Sequence, residues 1–158
     1  MRTNRKIIDL FAGCGGLTLG FQNAGFDVVA AADNWGPVLT VYRDNFDHDL
    51  HDLDLSDIEK SVATLKKYRA DVVVGGPPCQ DFSQAGKRDE NGGRGNLTIA
   101  FAEIVSELRP RFFVMENVDQ LTKTAKFKEA RKILKEAGYG ITVRLLDASL
   151  CGVPQKRK

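Results

Sequence analysis

Short apolar runs of three to six residues recur along this chain, and each is stopped by glycine, proline or an acid before a longer stretch of helical spacing begins. The runs are Lys6–Leu10 (KIIDL), 28–31 (VVAA), 72–74 (VVV), Phe112–Met115 (FFVM) and 141–146. They are too short for buried helices and rich in β-branched residues, so they read as buried strands. Between them the helical segments carry their own punctuation. Leu17, Leu19 and Phe21 lead to Gly25 as a helix stop, and Pro37 opens a helix that runs to Asn45. Ser56 and Glu59 form a capping box, S-x-x-E, opening an amphipathic stretch to Arg69. Leu97–Leu108 is broken by Pro110, and residues 127–137 are closed by Gly138. Strands separated by helices pair in parallel through right-handed crossovers, so the reading is a doubly wound, mainly parallel α/β sheet. At 158 residues it forms one domain covering 1–158, with no repeat and no linker.

Composition removes several classes of function. The chain is 42% hydrophobic and 28% charged, which suits a soluble globular protein rather than a disordered tail, and no apolar run approaches a membrane span. The start, MRTNRK followed by a short apolar run ending at Asp9, has no signal-peptide core, so the expected location is the cytoplasm. Cys14, Cys79 and Cys151 are odd in number and far apart, which argues against a disulfide framework or a zinc site and leaves room for a reactive thiol. A net charge of +2 does not by itself announce a nucleic-acid partner.

The first strand runs directly into Ala12-Gly13-Cys14-Gly15-Gly16. A glycine cluster there lets backbone approach a ligand above the carboxyl ends of the strands, although the same residues also make a plain tight turn. The dinucleotide spacing G-x-G-x-x-G is absent, which disfavours a nicotinamide oxidoreductase. Asp33, at the end of the second strand, can accept hydrogen bonds from both hydroxyls of a ribose, so loop and carboxylate together point to an adenosine-containing cofactor. Trp35 either stacks on a purine or packs in the core, and core packing is the commoner fate of such a residue.

Two segments carry a specific likeness. Residues 9–16 (DLFAGCGG) and 75–83 (GGPPCQDFS), with 116–118 (ENV) and 154–157 (PQKR) in the same order, resemble the motifs of the DNA cytosine-C5 methyltransferases over nearly the whole chain. The resemblance implies a methyltransferase-type doubly wound sheet, S-adenosylmethionine as cofactor with S-adenosylhomocysteine as product, double-stranded DNA as partner, and a restriction-modification setting. It implies that Phe11 lies on the adenine, that Gly13, Gly15 and Gly16 wrap the methionine part, and that Asp33 holds the ribose. Asn34 and Trp35 would flank the adenine edge, Pro77 would border the cofactor, and Asp54, or Asp52 in an alternative register, would meet the adenine amino group.

The chemistry is intelligible residue by residue. Cytosine C5 is a poor nucleophile until a nucleophile adds at C6, and a thiolate such as that of Cys79, fixed after Pro77-Pro78, suits this step. Glu116 would donate to N3 of the ring, and the resemblance adds Arg157 to the catalytic residues. The base must leave the duplex to reach the thiol. Gln80 and Ser83 would contact it, and Lys87, Arg88 and Arg94 in the glycine-rich loop 84–96 would touch phosphates. Cys14 and Cys151 lack such a setting and read as packing residues.

The likeness is incomplete. The family places a second arginine two positions after the one matching Arg157, and the sequence stops at Lys158. The following strand, the target-recognition region and the late motifs are missing as well. The expectation is therefore a split enzyme completed by a second polypeptide, or a truncated gene product. A catalytically silent cofactor-binding subunit and a tRNA cytosine methyltransferase are the alternatives.

Overall fold

The structure is a computed structural model and describes residues 5–78, 97–152 and 155. Its core is one sheet of five parallel strands: β1 (Lys6–Leu10), β2 (Asp27–Asp33), β3 (Asp49–Asp52), β4 (Val72–Gly75) and β5 (Phe112–Met115). Their spatial order is β3-β2-β1-β4-β5. The chain winds outward from β1 to β3 and then returns to the other side of β1, so the topological switch point lies between β1 and β4.

Alternation along the strands explains the layers. Ile8 and Leu10 of β1, Ala30 and Ala32 of β2 and Val73 of β4 face one way. There they pack against α3 (Ile58–Leu65), α4 (Leu97–Leu108) and α5 (Ala125–Glu136), with Leu65, Phe101, Ile104 and Leu134 fully enclosed. Ile7, Val28, Val72 and Val74 face the other way, against α1 (Gly16–Asn23) through Leu17 and Phe21. Ala31 meets Tyr42 and Phe46, from α2 (Gly36–Asn45) and the residue that follows it. Burying each large apolar side chain contributes about 1.5–3 kcal/mol, so both layers bind firmly to the sheet.

The doubly wound parallel class, four of the five expected strands and the five helices hold, with α4 and β5 at the expected bounds, while β3 is not among the expected strands. Gly25 and Gly138 stand just past α1 and α5 with φ of 86° and 93°, as helix stops. Three local expectations fail. The capping residue of α3 is Asp57, whose carboxylate accepts from the Lys60 amide, while Ser56 turns its amide and hydroxyl back onto Asp54 Oδ1. The amphipathic stretch ends as α-helix at Leu65 and tightens into a 3₁₀ turn, Lys66–Tyr68. Residues 141–146 form no strand: no described strand lies beside them to complete a ladder, and Val143, Leu145 and Leu146 are exposed. None of the described helices is long and apolar enough to cross a membrane.

Candidate cofactor and catalytic site

The carboxyl ends of β1 and β4 open the crevice of the switch point, and the glycine loop crosses it. After Leu10 the backbone turns left-handed at Phe11 (φ 56°), Gly13 (55°) and Gly15 (89°). A left-handed phenylalanine is a strained residue, of the kind that clusters at ligand sites. The loop is anchored on both sides. The Ala12 amide donates to the Ala32 carbonyl on β2 at 3.1 Å, and the Gly13 amide donates to Asp33 Oδ2 at 2.9 Å. Asp33 Oδ1 accepts from the Trp35 amide at 2.9 Å. One carboxylate thus holds the loop and the start of α2 together, and each of its oxygens keeps a further lone pair for a ligand.

α1 begins at Gly16 with no side-chain cap from the preceding residue, so the amides of Gly16 and Leu17 remain for a ligand while that of Thr18 interacts with Asp9. A Cβ built on Gly13 or Gly16 would meet nothing within 4 Å, so the space over the loop is open. Asn34 is exposed and Trp35 is 65% exposed, which overturns the core-packing reading of that indole and leaves its face free. Asp52 ends β3 opposite Asp33 in the β2–β3 register, whereas Asp54 lies beyond the strand with Oδ1 engaged by Ser56. An open glycine cradle, a half-buried carboxylate with spare acceptors and an exposed aromatic ring fit an adenosine-type cofactor.

On the other side of the switch point, Gly75 ends β4 where any side chain would strike β1: its Cβ would lie 2.5 Å from the Leu10 carbonyl oxygen. The chain continues through Gly76 into buried Pro77 and exposed Pro78. β5 ends beside it, with the Glu116 amide on the Gly75 carbonyl at 2.9 Å and Asn117 Nδ2 donating to the Pro77 carbonyl at 2.7 Å. These two bonds lock the exits of β4 and β5 side by side. Glu116 is exposed, and its Oε2 would lie 3.3 Å from a Cβ on Gly76. The carboxylate therefore stands over the segment that leads to position 79. Cys79, Gln80, Ser83, Lys87, Arg88, Arg94 and Arg157 fall outside the described residues, as does the loop 84–96. Cys14 and Cys151 are both exposed, so neither is the packing residue the sequence suggested.

The sequence reading missed the polar interior beneath the loop. Asp9 is fully buried, as are Thr18 and Tyr42. The Thr18 hydroxyl donates to Asp9 Oδ2 at 2.7 Å, Thr18 Oγ1 and the Tyr42 hydroxyl are 2.7 Å apart, and the Tyr42 hydroxyl is 2.6 Å from His48 Nε2. Burial pushes the Asp9 carboxyl up to about 7, Thr18 opposes this, and the nearby Asp33 charge adds to the rise. Burial likewise raises the Tyr42 phenol and lowers the His48 imidazole. An aspartate inside an otherwise apolar strand was the available signal.

A groove lined by Lys66, Lys67, Arg69, Ala70, Leu108 and Arg109 lies at the amino ends of β4 and β5, the opposite end of the sheet from the loop. Its cations follow the ends of α3 and α4, where they complement the helix dipoles.

A doubly wound sheet with its ligand crevice at the β1–β4 switch point defines a nucleotide-cofactor class, and comparison with known proteins narrows it. Residues 5–158 match the model of the C-5 cytosine-specific DNA methylases, and the chain belongs to that family. It is 52% identical over 153 residues to the type II methyltransferase M.HgiDI of Herpetosiphon aurantiacus, covering 97% of this chain and 50% of the relative. It is 50% identical over 152 residues to M.HindV of Haemophilus influenzae, covering 96% and 50%. A crystal structure of a putative DNA modification methyltransferase encoded within an Escherichia coli prophage superposes with a TM-score of 0.67 at 34% identity, over 85% of this chain and 37% of that one. The chain thus spans about half the length of the curated relatives it matches. S-adenosylmethionine is the methyl donor that membership carries with it.

Proposed function

We propose that this chain is the cofactor-binding and catalytic half of an enzyme that methylates C5 of cytosine in duplex DNA. The observation that carries the reading is the pairing of two anchored elements at one switch point: the loop held by Asp33, and the β4 exit held beside Glu116 by Asn117. Gly13, Gly15 and Gly16 hold the methionine part of S-adenosylmethionine. Asp33 takes the ribose, Phe11, Asn34 and Trp35 surround the adenine with Pro77 at its border, and Asp54 or Asp52 receives its amino group. When bound, the cofactor supplies an electrophilic methyl group.

The remaining work belongs to the chain's own residues. The Cys79 thiolate adds to C6 of a flipped cytosine, and Glu116 stabilises the charge this sends to N3. After C5 is methylated, solvent water takes the C5 proton, the electrons of that C–H bond re-form the C5–C6 double bond, and the C6–S bond breaks to release the Cys79 thiolate. Gln80, Ser83 and Arg157 position the base, and Lys87, Arg88 and Arg94 meet the DNA backbone.

The half of the relatives that this chain does not match supplies the target-recognition region and completes the sheet. This reading is supported by the apolar side chains left in solvent on the edge strand β5, Phe112 and Val114, and in the strandless segment 141–146, Val143, Leu145 and Leu146. The chain alone should methylate DNA poorly, and activity should return when a polypeptide matching the other half of M.HgiDI is added. Full activity of the isolated chain on duplex DNA would make that other half dispensable, and preference for tRNA over DNA in a competition assay would change the substrate. Asp33→Ala should weaken S-adenosylmethionine binding by about 1–3 kcal/mol, the scale of hydrogen bonds to a charged group. Equal affinity of variant and parent in calorimetry would reject Asp33 as ligand and anchor.

A further inference from the structure

The bond between Thr18 and Asp9 joins the residue just before the end of β1 to the first turn of α1, so it clasps the base of the whole glycine loop. α2 reaches the same place twice. Tyr42 meets Thr18 through its hydroxyl, and the ring of Phe46, the residue after the helix, lies tilted at 43° with its centroid 4.6 Å from that of Tyr42 and fills the space beside Gly15. His48 then carries the line outward to half-buried surface. We propose that Thr18, Tyr42 and His48 are positioning residues for the cofactor loop, a hydrogen-bond relay through which the protonation of Asp9 and His48 at its two ends sets how tightly the loop holds S-adenosylmethionine. The inference rests on the cofactor reading above.

The donors leave only two consistent orders. With Asp9 ionised, Thr18 spends its single proton on Oδ2, so Thr18 must accept from Tyr42, and Tyr42 must accept from an Nε2–H of His48. Asp9 Oδ1 is buried without a hydrogen-bond partner among the described residues, so a proton arriving at the carboxyl is best used on Oδ2. From there it reverses every bond and ends on an unprotonated Nε2 of His48. The two ends therefore titrate as one system. Asp33 from β2 faces Asp9, and Asp27, Asp47 and Asp49 surround His48, favouring its cation against the effect of burial. S-adenosylmethionine carries sulfonium and ammonium charges, so it binds better above an ionised Asp9, and its affinity rises as pH passes through the titration of that carboxyl.

The test uses the 158-residue chain and S-adenosylmethionine itself. Calorimetric affinity should rise about tenfold between about pH 6 and pH 8 beyond what Asp9→Asn shows, because the ligand's own amino group titrates equally in both. Thr18→Val should lose affinity and the extra pH dependence, and Thr18→Ser should restore both. Independently of any ligand, the NMR titration of His48 should shift in Asp9→Asn and in Tyr42→Phe, while His51, which bonds Tyr68 elsewhere, should stay put as an internal reference. An Asp9→Asn profile identical to the parent's, or a His48 titration unmoved by both variants, overturns the relay. Absence of S-adenosylmethionine binding at every pH by a chain whose His48 titration does respond overturns the cofactor reading on which the relay's role depends.

Discussion

Replacing Cys79 by serine should lower methyl transfer by the complemented enzyme by roughly four orders of magnitude or more, the scale of losing a covalent nucleophile. S-adenosylmethionine affinity should hardly change. The hydroxyl is close to the thiol in size but far less ionised at neutral pH, so the pocket survives and the addition to C6 fails. Trapping on duplex DNA that carries a 5-fluorocytosine target should give one covalent complex, and peptide mapping should place it on Cys79. The experiment discriminates sharply because Cys14 and Cys151 are exposed and free to react. An adduct on either of them, or a serine variant of normal rate, would sink the assignment.

The second large effect belongs to Gly15. Its φ of 89° costs an L-residue roughly 1–2 kcal/mol, and a Cβ there would lie 2.2 Å from Cε2 of Phe46. Overpacking of that kind adds about 1–3 kcal/mol, so Gly15→Ala should destabilise the chain by about 2–5 kcal/mol in urea titration. This is a large share of a typical total of about 5–15 kcal/mol. Gly13→Ala is the matched control: it shares the left-handed φ but has open space around it, so it should lose only the smaller, conformational part. Because Phe46 is in ring contact with Tyr42, the Gly15 variant should also lose cofactor affinity out of proportion to its stability. Equal losses from the two substitutions would mean that Phe46 does not press on the loop.

The legible parts of the chain were those where one local rule dominates. Leu97–Leu108 and Phe112–Met115 stand as read because their apolar spacing is uninterrupted and Pro110 separates them. β3 (Asp49–Asp52) carries the sequence DLHD at the sheet edge, where half-exposed positions tolerate polar residues, so it left no periodic trace. Asp57 and Ser56 are both good capping residues, and only the backbone entering α3 decides between them. Residues 141–146 show the converse case, a strand-like composition with no neighbour to pair with. In the site, Asp33 could be found from its place after an apolar run. Thr18, Tyr42 and His48 could not, since their association depends on how α1 and α2 pack on the sheet and follows no spacing along the chain.

The clasp and the relay lie wholly between Asp9 and His48, on a stretch that also contains β2 and both helices of that face. Contacts so close in sequence close small loops, which costs little chain entropy and favours fast assembly. During synthesis this stretch leaves the ribosome before β4, so the cofactor cradle can be organised while the segment bearing Cys79 is still being made. The thiol then meets a cradle whose own hydrogen-bond partners all precede it in the chain.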